Sequence, residues 1–164
     1  MALICNFALF SGHPYLFEID NVKLNPCQLQ SRPETESRAK PLEETELIYV
    51  DTVEKLKLAI EECGKFSEIG VDLEAHNYRS FQGITCLIQI STREKDYIID
   101  PFPLWGEMTC LNEIMANPKI VKIFHGSYKD IVWLQRDFSV YVCIFFIYFF
   151  LHFNFNYYLI FHFT

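Results

Sequence analysis

No C-x-x-C pair occurs anywhere in this 164-residue chain, although it holds six cysteines: Cys5, Cys27, Cys63, Cys86, Cys110 and Cys143. Scattered so widely, they signal neither a zinc site nor a disulfide framework, and reduced thiols are the plain expectation. Positive charge is also short, since 14 Lys and Arg against 21 Asp and Glu leave a net charge of −7. A protein that held nucleic acid by coating many phosphates would need a basic face. This chain is poorly suited to that mode; it could act on nucleic acid only by gripping a strand end, with bound metal ions supplying the positive charge. Missing, too, is any Asp, Glu, Lys or Arg from the last 26 positions, Ser139 to Thr164, which hold 12 of the 27 aromatic residues. The overall 51% hydrophobic content is therefore a sum of two unlike compositions. The first 138 residues carry all 35 charged side chains, the profile of an ordinary globular domain, and disordered or collagen-like classes are excluded. The length allows one domain and hardly two.

The opening Met1 to Phe10 is apolar but lacks the basic flank of a secretory signal. From His13 to Leu42 the chain is rich in Pro, Ser, Gln and Glu, and Pro14, Pro26, Pro33 and Pro41 break any long element. Residues 1–42 thus read as an arm or linker. Leu47 to Val50 is a strand, and Asp51-Thr52-Val53-Glu54 has the capping-box pattern that starts a helix. Val53, Leu56, Ile60 and Cys63 give that helix its apolar face, and Gly64 its stop. Three strands follow, Glu68 to Glu74, Ile84 to Ser91 and Asp96 to Asp100, with links short enough to favour antiparallel neighbours. A helical stretch around Met108 to Ala116, a buried strand Ile120 to Phe124 and a helix from Ser127 to Phe138 complete the pattern. The order predicts an α/β layer protein, a mixed sheet whose antiparallel meander is flanked by helices.

Two constellations carry possible chemistry. In Val71-Asp72-Leu73-Glu74 the period of two puts Asp72 and Glu74 on one face of a strand, with Ile69, Val71 and Leu73 on the other. Two carboxylates so close repel unless a cation, a proton or open water intervenes. Hard oxygen ligands of this kind suit Mg²⁺ or Mn²⁺, and a solvent-facing strand edge accounts for the pair equally simply. The second is His125-Gly126-Ser127-Tyr128-Lys129-Asp130, between a strand and a helix, where α/β folds place their sites. In the simpler account, Ser127 caps the helix, Asp130 complements its dipole and His125 is a packing residue.

Joined by the residues between, the two resemble a known pattern. Val71-Asp72-Leu73-Glu74-Ala75-His76-Asn77-Tyr78-Arg79-Ser80-Phe81-Gln82-Gly83, running on to Thr92, resembles the first exonuclease motif of the RNase D-like enzymes of the DEDD superfamily. Ile120 to Phe138, with His125-Gly126, Asp130-Ile131 and Trp133-Leu134-Gln135, resembles their second motif. Within that superfamily the likeness is strongest to the nuclear exosome-associated exoribonucleases, and it runs from about His13 to Tyr141. The resemblance implies a ribonuclease H-like (DnaQ-like exonuclease) fold, here its N-terminal part over residues 43–142. It implies 3′-to-5′ hydrolysis of single-stranded RNA from its 3′ end, with two divalent ions, Mg²⁺ or Mn²⁺, held by Asp72, Glu74 and Asp130. It also implies contacts from His76, Asn77 and Tyr78 to the terminal nucleotide, association with nuclear exosome subunits, and a place in the nucleus and nucleolus. Arg79 fits a phosphate contact or a structural ion pair.

The family is named for four acids and has a Tyr four positions before the last Asp; the fourth Asp and that Tyr are expected beyond position 164. Ala75 stands where the family often has His. The expectation for this form is a truncated enzyme of reduced or absent activity, with a non-catalytic RNA-end or exosome-binding module as the alternative. Residues 143–164 depart from the family pattern, and their Phe, Tyr, Ile and Asn mixture reads as translated AT-rich non-coding sequence. A rival reading makes Val140 to Phe163 a membrane anchor, since it is uncharged and long enough to cross roughly 30 Å of hydrocarbon. His152, Asn154, Asn156 and His162 make it a poor span, so no membrane partner is expected.

Overall fold

A computed structural model describes residues 41–143 and 145–148. The arm over residues 1–40, most of the aromatic tail and the membrane-anchor reading lie outside the described residues. Among the latter no helix is long and apolar enough to cross a membrane. Strands β1 (Glu46–Val50), β2 (Glu68–His76), β3 (Ile84–Ser91), β4 (Lys95–Ile99), β5 (Val121–His125) and β6 (Phe145–Tyr148) form one mixed sheet in the order β1-β4-β3-β2-β5-β6. The β2-β3-β4 meander is antiparallel, as the short links require, while β1 joins β4, and β5 and β6 join β2, in parallel. The mixed sheet is the one the element order predicts.

The helices that build the core pack on one face of this sheet. They are α1 (Val53–Cys63), the 3₁₀ helix Trp105–Leu111 with the short α2 (Asn112–Met115), and α3 (Tyr128–Phe138). The core they build takes Val50, Ile69, Val71, Leu73, Ile88, Ile90, Tyr97, Ile99 and Phe124 from the strands and Leu56, Ile60, Met108, Leu111, Ile131, Leu134 and Phe138 from the helices. By the pleat, every one of those strand residues shares a face. Each fully buried aliphatic or aromatic side chain contributes about 1.5–3 kcal/mol. The opposite face carries Leu47 and Tyr49 from β1, both exposed, and Asp72, Glu74 and Gln89.

Local chemistry explains the elements and corrects three expectations. Thr52, not Asp51, caps α1: its extended backbone lets its Oγ1 accept from the Lys55 N–H at 3.3 Å, whereas Asp51 pairs with the Lys55 ammonium at 2.7 Å. Gly64 ends α1 in a right-handed conformation (φ −62°), so its freedom at positive φ is not used there. The stretch expected as a helix around Met108 is mostly 3₁₀. Gly106, Thr109 and Cys110 are weak α-formers, and the tighter winding aligns Met108 with Leu111, both fully buried, behind Trp105. Trp105 meets Phe138 of α3 edge-on, with ring centroids 4.8 Å apart. Finally, Ser127 does not cap α3 with its side chain. Its φ −58° and ψ −3° are already helical, and its buried Oγ has no hydrogen-bond partner among the described residues.

Half-buried and buried polar groups stitch the layers. Glu62 of α1 accepts from the Tyr97 hydroxyl (2.8 Å) and the Lys95 ammonium (3.2 Å) of β4. Lys122 of β5 pairs in register with Ile69, so its side chain enters the helix layer, where it is fully buried. Its Nζ donates to the carbonyls of Asn117 (2.9 Å) and Ile120 (2.7 Å), and burial pulls its pKa down to about 7.

Candidate active site

The pleat of β2 does what its alternation predicts. Ile69, Val71 and Leu73 are at most 5% exposed, and Asp72 and Glu74 stand exposed on the open face. β2 lies inside the sheet, between β3 and β5; Asp72 and Glu74 pair in register with Gln89 and Leu87 of β3, just beyond the Glu68–Gly70 stretch that pairs with β5. Asp130 comes from the first turn of α3, which starts where β5 ends, and it is buried at 6% exposure. Its carboxyl pKa is pushed up to about 6, first by burial and then by the negative charges of Asp72 and Glu74. The three predicted acids therefore share one electrostatic neighbourhood, although they come from segments more than fifty residues apart.

A carboxyl whose pKa is raised by burial and by two neighbouring carboxylates marks a place where a cation finds favourable charge, and three hard oxygen donors suit a divalent ion. The donor set fits a metal in charge and chemistry. Among the described residues, however, no group of three acidic, His or Cys side chains is drawn close enough to hold an ion unaided. Asp72 also borders a shallow open hollow of about 360 Å³, walled by Gly70, Gln89, Ser91, Ile123 and His125. His125 lies exposed at the end of β5, at the mouth of the site.

The other predicted residues form a loop. His76 ends β2 opposite Ile84, and Asn77 and Tyr78 follow it, all exposed, with Tyr78 at 89%. Phe81 on the same loop is fully exposed as well. Gly83 closes the loop at φ +71°, where an added Cβ would press on the His76 carbonyl oxygen at 3.2 Å.

Sequence reasoning missed the group that holds this loop. β3 carries one extra residue: Glu74 pairs with Leu87 but Ala75 pairs with Thr85, which leaves Cys86 as a bulge. The bulge turns Thr85 from the open face to the helix face, where it is fully buried. There its N–H and its hydroxyl both donate to Asp137 Oδ2, at 2.9 and 2.7 Å. Arg136 donates through Nε and one NH₂ to the Asp137 carboxylate (2.5 and 2.7 Å) and through the other to the Gln82 carbonyl. Burial would raise the Asp137 pKa, but the bonds from Arg136 and Thr85 outweigh it and hold the carboxyl below its ordinary value. The only signal in the sequence was an adjacent Arg-Asp pair at a helix end, which by itself reads as a surface ion pair.

A mixed sheet with two carboxylates on an interior strand, and a third on the helix that follows the next parallel strand, is the frame of a ribonuclease H-like nuclease domain. The family model for 3′-5′ exonuclease matches residues 47–152, and the chain belongs to that family. It is 49% identical over 130 residues to the exosome complex component 10 homolog of Caenorhabditis elegans, covering 79% of this chain and 15% of that protein. It is 48% identical, also over 130 residues, to the exosome complex exonuclease RRP6 of Saccharomyces cerevisiae, covering 18% of it. Among solved structures, the catalytic core of RRP6 from Trypanosoma brucei superposes with a TM-score of 0.77 at 39% identity, over 82% of this chain and 37% of that one. These findings bear out the resemblance drawn from the two motifs and the ribonuclease H-like fold it implied. The chain spans less than a fifth of the length of these two curated relatives. The family match runs through β6, ten residues into the stretch expected to leave the pattern. Enzymes of this family are hydrolases that generally work with divalent metal ions.

Proposed function

We propose that this chain carries the first part of the active site of an exosome-type 3′-5′ exoribonuclease. The observation that carries the reading is the burial of Asp130 against the charges of Asp72 and Glu74, in a chain nearly half identical to exosome exonucleases. Asp72, Glu74 and Asp130 would hold two divalent ions, Mg²⁺ or Mn²⁺. When bound, such ions supply Lewis-acid stabilisation of the phosphate and an activated water. The chain's own residues bind and orient. His76, Asn77 and Tyr78 receive the 3′-terminal nucleotide of single-stranded RNA on the loop next to Glu74. The N-terminal end of α3, beside Asp130, offers partial positive charge to phosphate oxygens. The substrate class, association with exosome subunits and a nuclear or nucleolar place are inferred from the same likeness.

A second reading is favoured by one observation: among the described residues the acids do not close into a three-ligand group. In it the chain keeps the fold and holds RNA ends or exosome partners without cleaving. One assay separates the two. The purified chain, given Mg²⁺ and a 5′-labelled single-stranded RNA, yields a ladder of shortened products if catalytic and binding without a ladder if not. Asp72→Asn must abolish any ladder, or the activity belongs to a contaminant.

A further inference from the structure

Helix α3 touches the site at both ends. Asp130 in its first turn faces the Asp72–Glu74 charges, and Asp137, seven residues and about 10.5 Å further along the axis, takes both Thr85 donors. Thr85 sits beside the bulge that faces Glu74, and Arg136 bonds the Gln82 carbonyl just before Gly83. The shared buried face of β2 and β3 sets their register up to Glu74, and the bulge is where that register shifts, so a bond that acts as a pin beside it decides where the residues beyond Glu74 lie. The pin is well built for the task. The Asp137 side chain is only 9% exposed, and its partner Thr85 is fully buried. A carboxylate accepting two bonds in such surroundings is far stronger than a surface contact.

We propose that Asp137, braced by Arg136, is a positioning residue for this active site. It fixes the Cys86 bulge and the 77–83 loop from the helix that carries Asp130, so that one rigid element sets where Glu74, His76, Asn77 and Tyr78 stand relative to Asp130. The role in metal and RNA binding rests on the function proposed above; the mechanical role does not.

Amide hydrogen exchange on the 164-residue chain tests it, with Mn²⁺ titration followed by electron paramagnetic resonance as the second measurement. Asp137→Ala is expected to speed exchange at least tenfold at Thr85 and at Gly83, the loop amide that donates to the Ser80 carbonyl, while the amides of α1 keep their wild-type rates. Thr85→Val, which removes only the hydroxyl, should give a smaller increase at the same amides, and Thr85→Ser should restore wild-type protection. The two Thr85 variants decide the matter if Asp137→Ala does not fold. Wild-type rates at Thr85 and Gly83 in the variants, or acceleration equal to that in α1, would overturn the proposal. In the titration, Asp137→Ala should weaken Mn²⁺ binding about tenfold. Unchanged affinity would overturn the link to Glu74. A wild-type chain that takes up no Mn²⁺ would refute the metal reading alone, with the exchange pattern still deciding for or against the pin.

Discussion

Asp130→Asn should stabilise the metal-free chain at neutral pH and abolish its response to Mg²⁺. The Asp130 carboxyl is pushed from 3.8 to about 6 by burial and by Asp72 and Glu74. The folded state therefore holds this proton more tightly than the unfolded one. Between about pH 4 and pH 6 it binds more protons than the unfolded chain, so stability falls as pH rises through that window and stays low above it. At 1.36 kcal/mol per unit the ceiling is about 3 kcal/mol. Asp72 and Glu74 are exposed and screened by water, which brings the expected penalty to about 1–2 kcal/mol. Asn keeps the shape and removes the charge. In EDTA at neutral pH the variant should melt higher, by about 4–8 °C for each kcal/mol regained, and the advantage should vanish near pH 4. Added Mg²⁺ should raise the melting temperature of the wild type and leave the variant unmoved. If the variant melts at or below wild type in EDTA, or keeps its advantage at low pH, the charge coupling among the three acids is refuted.

Lys122→Met should stabilise the fold by no more than about 1–2 kcal/mol at neutral pH, because relief of the buried ammonium is partly offset by the Asn117 and Ile120 carbonyls that lose its bonds. The Lys122 pKa is lowered to about 7, so its penalty is full below that pH and shrinks as pH rises toward 10.5. A gain in denaturant midpoint that is the same at low and high pH would contradict this. Gly83→Ala should cost about 1–2 kcal/mol, since the residue sits at φ +71° with a backbone oxygen 3.2 Å from the new methyl, and urea unfolding measures it. Ser127→Ala should be neutral or stabilising by up to about 1 kcal/mol, because the buried Oγ gives up no bond in the protein. A clear loss of stability would show that this hydroxyl has a partner.

The sheet and the acid pair were legible because they are written in local pattern. Alternation along Ile69 to Glu74 states which side chains are buried, and short links state that β2, β3 and β4 run antiparallel. The convergence of Asp130 on that pair came only through the motif resemblance, since nothing in the 55 residues between Glu74 and Asp130 measures a distance. The helix start at Val53 was legible, but its cap was not, because two good capping residues are adjacent: Thr52 takes the Lys55 N–H and Asp51 the Lys55 ammonium. Ser127 had the right chemistry for a cap and the wrong backbone. The Asp137–Thr85 bond was out of reach altogether, because it depends on a one-residue bulge that changes which face Thr85 points to. Periodicity reports faces only while the ladder stays regular.

The one-sided placement of the helices bears on how this chain responds to heat. Unfolding a typical domain raises the heat capacity by about 1.2–1.5 kcal/mol/K per 100 residues, mostly through newly wetted apolar surface. Here Leu47 and Tyr49 on the open side of the sheet are wetted in the native state, so melting exposes less new apolar area than its length suggests. The described domain should give a heat-capacity step below that range and a correspondingly flat stability curve. Anything that covers the open face would then announce itself in a calorimeter as a larger step, even if it left every acid in the active site untouched.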